Sequence, residues 1–162
     1  MRFTVRDYRP GDFNTLFEID QSCFDPEIAY SRYELQLYLN RSGAFTLVAE
    51  SSEQLTNPNG SSILAFVVAE SSRRVGHIIT IDVRPHVRRH HIGSALLDAA
   101  EARLGAAKCH MVRLETAVDN ASALSFYKRH GYDVIKVIPH YYSNGLDALL
   151  LEKNLLSGES SS

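Results

Sequence analysis

The stretch from Val75 to Thr116 constrains the fold more than any other part of the chain. It reads as a β-rich run (Val75–Val83), a turn, an amphipathic helix, and a second short β run from Met111 to Thr116. Ile92, Ala95, Leu96, Ala99 and Leu104 recur near helical spacing, and the pattern stops at Gly105. Two strands that share one sheet across such a helix are parallel, and the crossover is right-handed. The segments before and after this unit are joined by short turns, which predicts antiparallel neighbours.

The rest of the chain fits around that unit. Arg2 to Tyr8 alternates like a strand. Asp12 is placed to cap a helix carrying Phe13, Leu16, Phe17 and Cys23, and Asp25-Pro26 ends it. Ser31 followed by Glu34 is a capping box opening a second helix with Leu35, Tyr38 and Leu39 on one side. Ala44 to Glu50 reads as a strand, 51–62 as a surface loop, and the apolar run Ile63 to Ala69 as a strand buried on both faces. A turn at Ser71 to Arg74 leads into Val75. Ala121 to His130 is a helix stopped by Gly131, and Asn144-Gly145 is the turn between two last strands, Tyr132 to Ile138 and Leu146 to Leu151. The expected fold is α/β: a mixed, mostly antiparallel sheet of about seven strands with about four helices on its two faces. Residues 1–156 are expected to form a single domain, and the low-complexity 157–162 a disordered tail.

Bulk properties narrow the function classes. The chain has 162 residues, 44% of them hydrophobic, enough for one domain with a core. Seventeen basic against nineteen acidic residues leave a net charge of −2, without the basic surplus of a nucleic-acid binder. No apolar run approaches the roughly 20 residues of a membrane span, and the N-terminus does not read as a signal peptide. Cys23 and Cys109 do not suggest a disulfide framework. The expectation is a soluble cytoplasmic protein, monomeric or weakly dimeric, without nucleic-acid or membrane partners.

The turn inside the central unit, Val83 to Leu97, is unusually basic. No acidic residue occurs from Arg84 to Ser94. A helix N-terminus offers unpaired N–H groups and partial positive charge, which suit a phosphate or pyrophosphate. Spacing alone fits an ordinary strand-to-helix loop with a solvated basic face equally well. His90-His91 lacks the partner spacing of a metal site, and no metal is expected.

The turn is similar to the coenzyme A signature of the GNAT acetyltransferase family, Val-x-Pro then Arg/Gln-x-x-Gly-x-Gly/Ala. Arg88 stands at the Arg/Gln position and Gly93 at the second Gly, and His91 replaces the usual first Gly. A second stretch, Leu114-Glu115-Thr116 through Asn120, Ala123, Tyr127, Gly131 and Tyr132, resembles the family's Leu-Glu-Val-x-x-x-Asn-x-x-Ala-x-x-x-Tyr-x-x-x-Gly-Phe/Tyr pattern, most closely that of the ribosomal-protein alanine acetyltransferase (RimI) branch. The resemblance implies acetyl-CoA as cosubstrate. It lays Ile81, Asp82 and Val83 along the pantetheine arm, with no side-chain role for Asp82. It places the pyrophosphate on the backbone of Arg88, Arg89, His90, His91, Ile92, Gly93 and Ser94, with Asn120 and Tyr127 also at the cofactor. It makes Glu115 the base and Tyr127 the acid, with Glu115 ending a strand that faces the helix of Tyr127. Taken alone, Glu115 also fits an exposed charge on a strand, and Tyr127 a core residue one turn from Leu124.

Two further segments resemble those flanking the peptide in protein N-terminal acetyltransferases. One holds Phe24, Pro26, Ile28 and Tyr30; the other holds Tyr141 and Tyr142, ahead of Asn144-Gly145 and Asp147-Ala148. Two hairpin aromatics shielding a sheet end is the plainer reading of the tyrosines. The expected activity is acetyl transfer to the α-amine of a protein or peptide N-terminus. The alternatives are the same reaction on a small amine (a polyamine, amino acid or antibiotic) and a catalytically inactive acyl-CoA sensor.

Overall fold

The computed structural model describes residues 2–53 and 61–156; the interior of the 51–62 loop and the tail 157–162 lie outside them. The strands are β1 (Phe3–Asp7), β2 (Ala44–Ser51), β3 (Ile63–Ser72), β4 (Val75–Val83), β5 (Met111–Ala117), β6 (Asp133–Ile138) and β7 (Ala148–Asn154). The helices are α1 (Phe13–Cys23), α2 (Arg32–Leu39), α3 (Ile92–Ala106) and α4 (Ala121–Arg129). The sheet order is β1-β2-β3-β4-β5-β7-β6. Only β4 and β5, across α3, run parallel among the described strands. The mixed, mostly antiparallel sheet is the one expected.

Two apolar layers hold it. On one face Leu96, Leu97 and Leu104 of α3 and Tyr127 of α4 pack with Leu64, Val67, Val112 and Leu114. On the other, Leu16 and Ile19 of α1 and Leu35 of α2 cover Val48, Phe66 and Val68. α3 lies close on β4: a Cβ at Gly76 would stand 2.7 Å from Leu104 Cδ1. No helix among the described residues is long and apolar enough to cross a membrane.

The local signals behave unevenly. Ser31 and Glu34 form the predicted reciprocal cap, with bonds of 3.1 and 3.0 Å. Asp12 sits at the start of α1 but does not cap it, because its carboxylate accepts from Arg6 and from the Arg9 amide instead. Gly131 takes φ +88 after α4, the left-handed stop. β7 begins at Ala148 rather than Leu146, because Leu146 and Asp147 close the preceding loop by bonds to Tyr142 N and His140 N.

The feature that positions the site is a divergence. β4 and β5 pair only through Val75–His77 and Met111–Arg113. A register shift between Val68 and Ala69 breaks the pairing with β4 near Ile78 and Thr80, where a bulge bends a strand. Past His77, among the described strands, β4 pairs only with β3 and β5 only with β7. The gap between them lies at the end of β4 that leads to α3.

Candidate active site

The wall of the gap is built by strand alternation. Ile81 and Val83 are half-buried and pack toward the α3 side, whereas Asp82 is buried on the α1 side, as the period of two requires. Past His77, the β4 edge facing β5 has no strand partner among the described residues, so its backbone groups there suit an extended ligand arm.

The turn that follows is shaped by two left-handed residues. Arg89 has φ 72 and His91 φ 63. That explains why glycine is usual at the position of His91, since left-handed backbone costs other residues about 1–2 kcal/mol. His91 is the N-cap of α3 and contributes no side-chain cap. The Ala95 amide reaches back to His91 O at 3.1 Å, and the amides of Ile92, Gly93 and Ser94 come before that first helical bond. Arg88, Arg89 and His90 are exposed around them, while Ile92 is buried and anchors the helix start. The first-turn amides and the exposed basic side chains around them, with Arg88 Nε donating to Val83 O at 3.2 Å, fit the phosphates of a coenzyme A. Arg84 does not join this face: it is buried, with Nε donating to Ile63 O at 2.8 Å and Nη1 to Glu18 at 3.3 Å. Ser94 Oγ is held by His130 Nε2 at 2.9 Å. A Cβ at Gly93 would only touch Phe126 and Val83 at ordinary distances, so nothing steric demands glycine there. Asn120 caps α4, its side-chain oxygen accepting from Ala123 N at 3.1 Å, which leaves its Nδ2 group as what it offers a ligand.

Glu115 differs from its expected placement in one respect. It lies inside β5, and its side chain points away from α4, because Val112 and Leu114 already occupy that face. Glu115 instead meets His77 of β4, Oε1 to Nε2 at 2.7 Å, and accepts from the Tyr141 hydroxyl at 3.4 Å. His77 is a site residue the sequence reading passed over. Its one signal was a titratable ring at the start of β4, ahead of the apolar pair Ile78 and Ile79. Burial by itself would lower the pKa of His77, but the bond to Glu115 and the nearness of Glu70 outweigh it, and the net shift is upward.

Tyr127 lies on the other side of the gap. It is buried among Phe126 and Tyr132, and its hydroxyl has no hydrogen-bond partner among the described residues. Burial, then the charge of Asp82, pushes its pKa up, so the hydroxyl keeps its proton.

Asp82 has a partner that the sequence did not show. Asp20 of α1 and Asp82 are both buried, and each leaves one oxygen, Asp20 Oδ1 and Asp82 Oδ2, without a conventional partner. The two carboxyls interact, and a single proton between them would satisfy both oxygens at once. Burial raises both pKa values above the usual aspartate range. The outer oxygens are taken by the Thr80 hydroxyl on Asp82 and by Tyr30 N on Asp20 at 2.8 Å.

That last bond ties the α1–α2 connection to the floor of the gap. Phe24, Ile28 and Tyr30 of this connection are half-buried, and Pro26 is exposed. The β6–β7 loop meets the connection directly, Ser143 Oγ donating to Glu27 O at 2.6 Å. Tyr141 and Tyr142 pack edge to face at 4.9 Å, and Tyr30 packs against Tyr38 with tilted rings at 5.1 Å. Burial, with Glu115 next, pushes the Tyr142 hydroxyl up to about 12. The two aromatic segments thus converge beside Glu115. Among the described residues no group of three or more His, Cys, Asp and Glu side chains is arranged to hold a metal ion.

Residues 13–132 match the acetyltransferase (GNAT) family. The chain belongs to that family. This GNAT chain is 40% identical over 77 residues to an N-alpha-acetyltransferase of Sulfurisphaera tokodaii, covering 47% of this chain and 46% of that one. It is 29% identical over 135 residues to N-alpha-acetyltransferase 30 of Saccharomyces cerevisiae, covering 82% and 75%. The matches to the archaeal relatives span about half of their length, 46%, 59% and 47%. Ard1 from Thermoplasma volcanium has the same fold, with a TM-score of 0.84, 25% identity, and coverage of 97% and 100%.

Proposed function

We propose that this chain transfers the acetyl group of acetyl-CoA to the α-amine of a protein or peptide N-terminus. One observation carries the reading: two aromatic segments, bonded through Ser143 and Glu27, come together beside the Glu115–His77 pair. The names of its relatives support it. Acetyl-CoA supplies an activated thioester. Its phosphates lie against the amides of Ile92, Gly93 and Ser94 and the side chains of Arg88, Arg89 and His90. Its arm follows Ile81, Asp82 and Val83, beside Asn120.

An amine attacks only as the free base, and an α-ammonium has a pKa of about 7.7–8.0, within reach of a carboxylate base. Glu115, held by His77, removes that proton. The nitrogen forms its bond to the acetyl carbon as the carbon–sulfur bond breaks, and Tyr127 gives its proton to the departing thiolate. Tyr141 and Tyr142 wall the amine's approach with Phe24, Pro26, Ile28 and Tyr30. A short first residue fits such walls best, with a preference of about 1–3 kcal/mol per methylene. The two unpaired cysteines suit the cytoplasm.

Initial rates on peptides starting with alanine or serine, against free polyamines and amino acids, test the reading. The peptides are expected to react faster, and Tyr141→Ala or Tyr142→Ala to raise KM for peptide while leaving KM for acetyl-CoA unchanged. Small amines outrunning every peptide would replace the N-terminal acceptor by a small one.

A further inference from the structure

His77 has carboxylates on both sides of its ring. In the sheet register Glu70 of β3 stands directly opposite His77, and His77 opposite Arg113, two residues before Glu115 on the same face of β5. Glu115 Oε1 lies 2.7 Å from Nε2, and Glu70 Oε1 lies 3.6 Å from Nδ1. Glu70 is itself steadied from outside, its Oε2 lying 3.3 Å from Nε of Arg41, just beyond α2. The side chains of Glu70 and Glu115 are 14% and 17% exposed and that of His77 33%, so water screens the row only in part. The other charged neighbour, Arg113, is occupied by Glu152 at 2.6 Å, and the Tyr141 hydroxyl reaches Glu115.

Nε2 is hydrogen-bonded to Glu115, and Glu70 at 3.6 Å from Nδ1 lies beyond hydrogen-bond length but within ion-pair reach, so a carboxylate on each side of the ring favours the imidazolium. A histidine cation paired with Glu115 alone would form a neutral couple. Glu70 adds a second carboxylate to this couple but is itself paired outward with Arg41, so its part is to hold the ring, and the carboxylate left to meet an incoming ammonium is Glu115. We propose that Glu70 is the positioning residue of this active site: it holds His77 from the Nδ1 side and keeps Nε2 aimed at Glu115, the carboxylate that receives the acceptor's ammonium. Glu70 touches neither acceptor nor cofactor and acts through His77. The inference rests on the reading of Glu115 as the base and goes beyond it.

The upward shift of His77 agrees with this, since Glu70 is among the groups that raise it. The experiment is a side-chain ¹⁵N NMR titration of the intact protein, wild type against Glu70→Gln, with the kcat/KM profile for an alanine-starting peptide in parallel. Glu70→Gln is expected to lower the midpoint of His77 by about one unit, to cut kcat/KM about tenfold near neutral pH chiefly through KM for peptide, and to leave KM for acetyl-CoA unchanged. Glu70→Asp, which keeps the charge, is expected to recover most of both effects. A His77 midpoint that does not move in folded Glu70→Gln overturns the inference, as does equal loss in the Gln and Asp variants. The NMR readout is independent of turnover; full activity in Glu115→Gln would refute the base assignment instead.

Discussion

Glu115 and His77 share one 2.7 Å hydrogen bond, and a double-mutant cycle tests whether they work as one unit. Glu115→Gln keeps the volume and removes the charge. A general base is worth about 10²–10⁴-fold, or ~3–5 kcal/mol of barrier at about 1.36 kcal/mol per tenfold. His77→Gln removes the ring that orients the carboxylate, and a loss of about 10–100-fold is expected from a charge-assisted bond worth ~1.5–3 kcal/mol. Groups that act together do not multiply their effects. The double variant is therefore expected to lie within about threefold of Glu115→Gln alone. The assay is kcat/KM for an alanine-starting peptide at pH 7, followed by released thiol, with melting temperatures confirming that each variant is folded. The Glu115→Gln deficit also shrinks above about pH 8, where the α-amine is already deprotonated. A double variant whose loss equals the product of the two single losses would refute the single-unit account.

Two more predictions address the walls of the gap. His91→Gly removes a side chain from a φ of 63. The relief of about 1–2 kcal/mol is offset by about 0.5–1 kcal/mol of added chain entropy, so the melting temperature rises slightly or stays level. Acetyl-CoA affinity should be unchanged or tighter; a loss beyond tenfold would make the imidazole itself a phosphate ligand. For the Asp20–Asp82 pair, both pKa values are raised on folding, so the native state binds more protons than the unfolded chain. The stability this contributes is complete below the ordinary aspartate value of 3.8 and fades as pH rises through the raised ones. Asp20→Asn, which supplies a permanent N–H between the two oxygens, should flatten that decline in urea unfolding, whereas Asp82→Ala should cost about 1–3 kcal/mol. An Asp20→Asn protein with the wild-type pH slope would contradict the shared proton.

Much of this arrangement was legible in the sequence, and the remainder was hidden for identifiable reasons. Val75 to Thr116 dictated the parallel pair, and Ser31 with Glu34 dictated a helix start, because both signals are local. Glu115 was legible only through the resemblance of Leu114 to Tyr132 to the family's motif. Its surroundings were not: alternation with Leu114 turns the side chain to the face opposite α4, where its partner His77 comes from a neighbouring strand. His77 and Glu70 escaped notice because their meaning depends on register across three strands and on a bulge near Ile78. Asp20 and Asp82 lie on a helix and a strand far apart in sequence, and no local pattern pairs them. Asp12 showed the converse, a plausible cap diverted by Arg6 from another element.

The central claim is transfer to an α-amine, and one measurement addresses it directly. A peptide with a free N-terminal alanine and an internal lysine is incubated with the protein and acetyl-CoA, and tandem mass spectrometry locates the added acetyl group. The account predicts a single acetyl group on the α-nitrogen, with the rate depressed by Glu115→Gln. Acetylation confined to the lysine, or none at saturating acetyl-CoA, would contradict it.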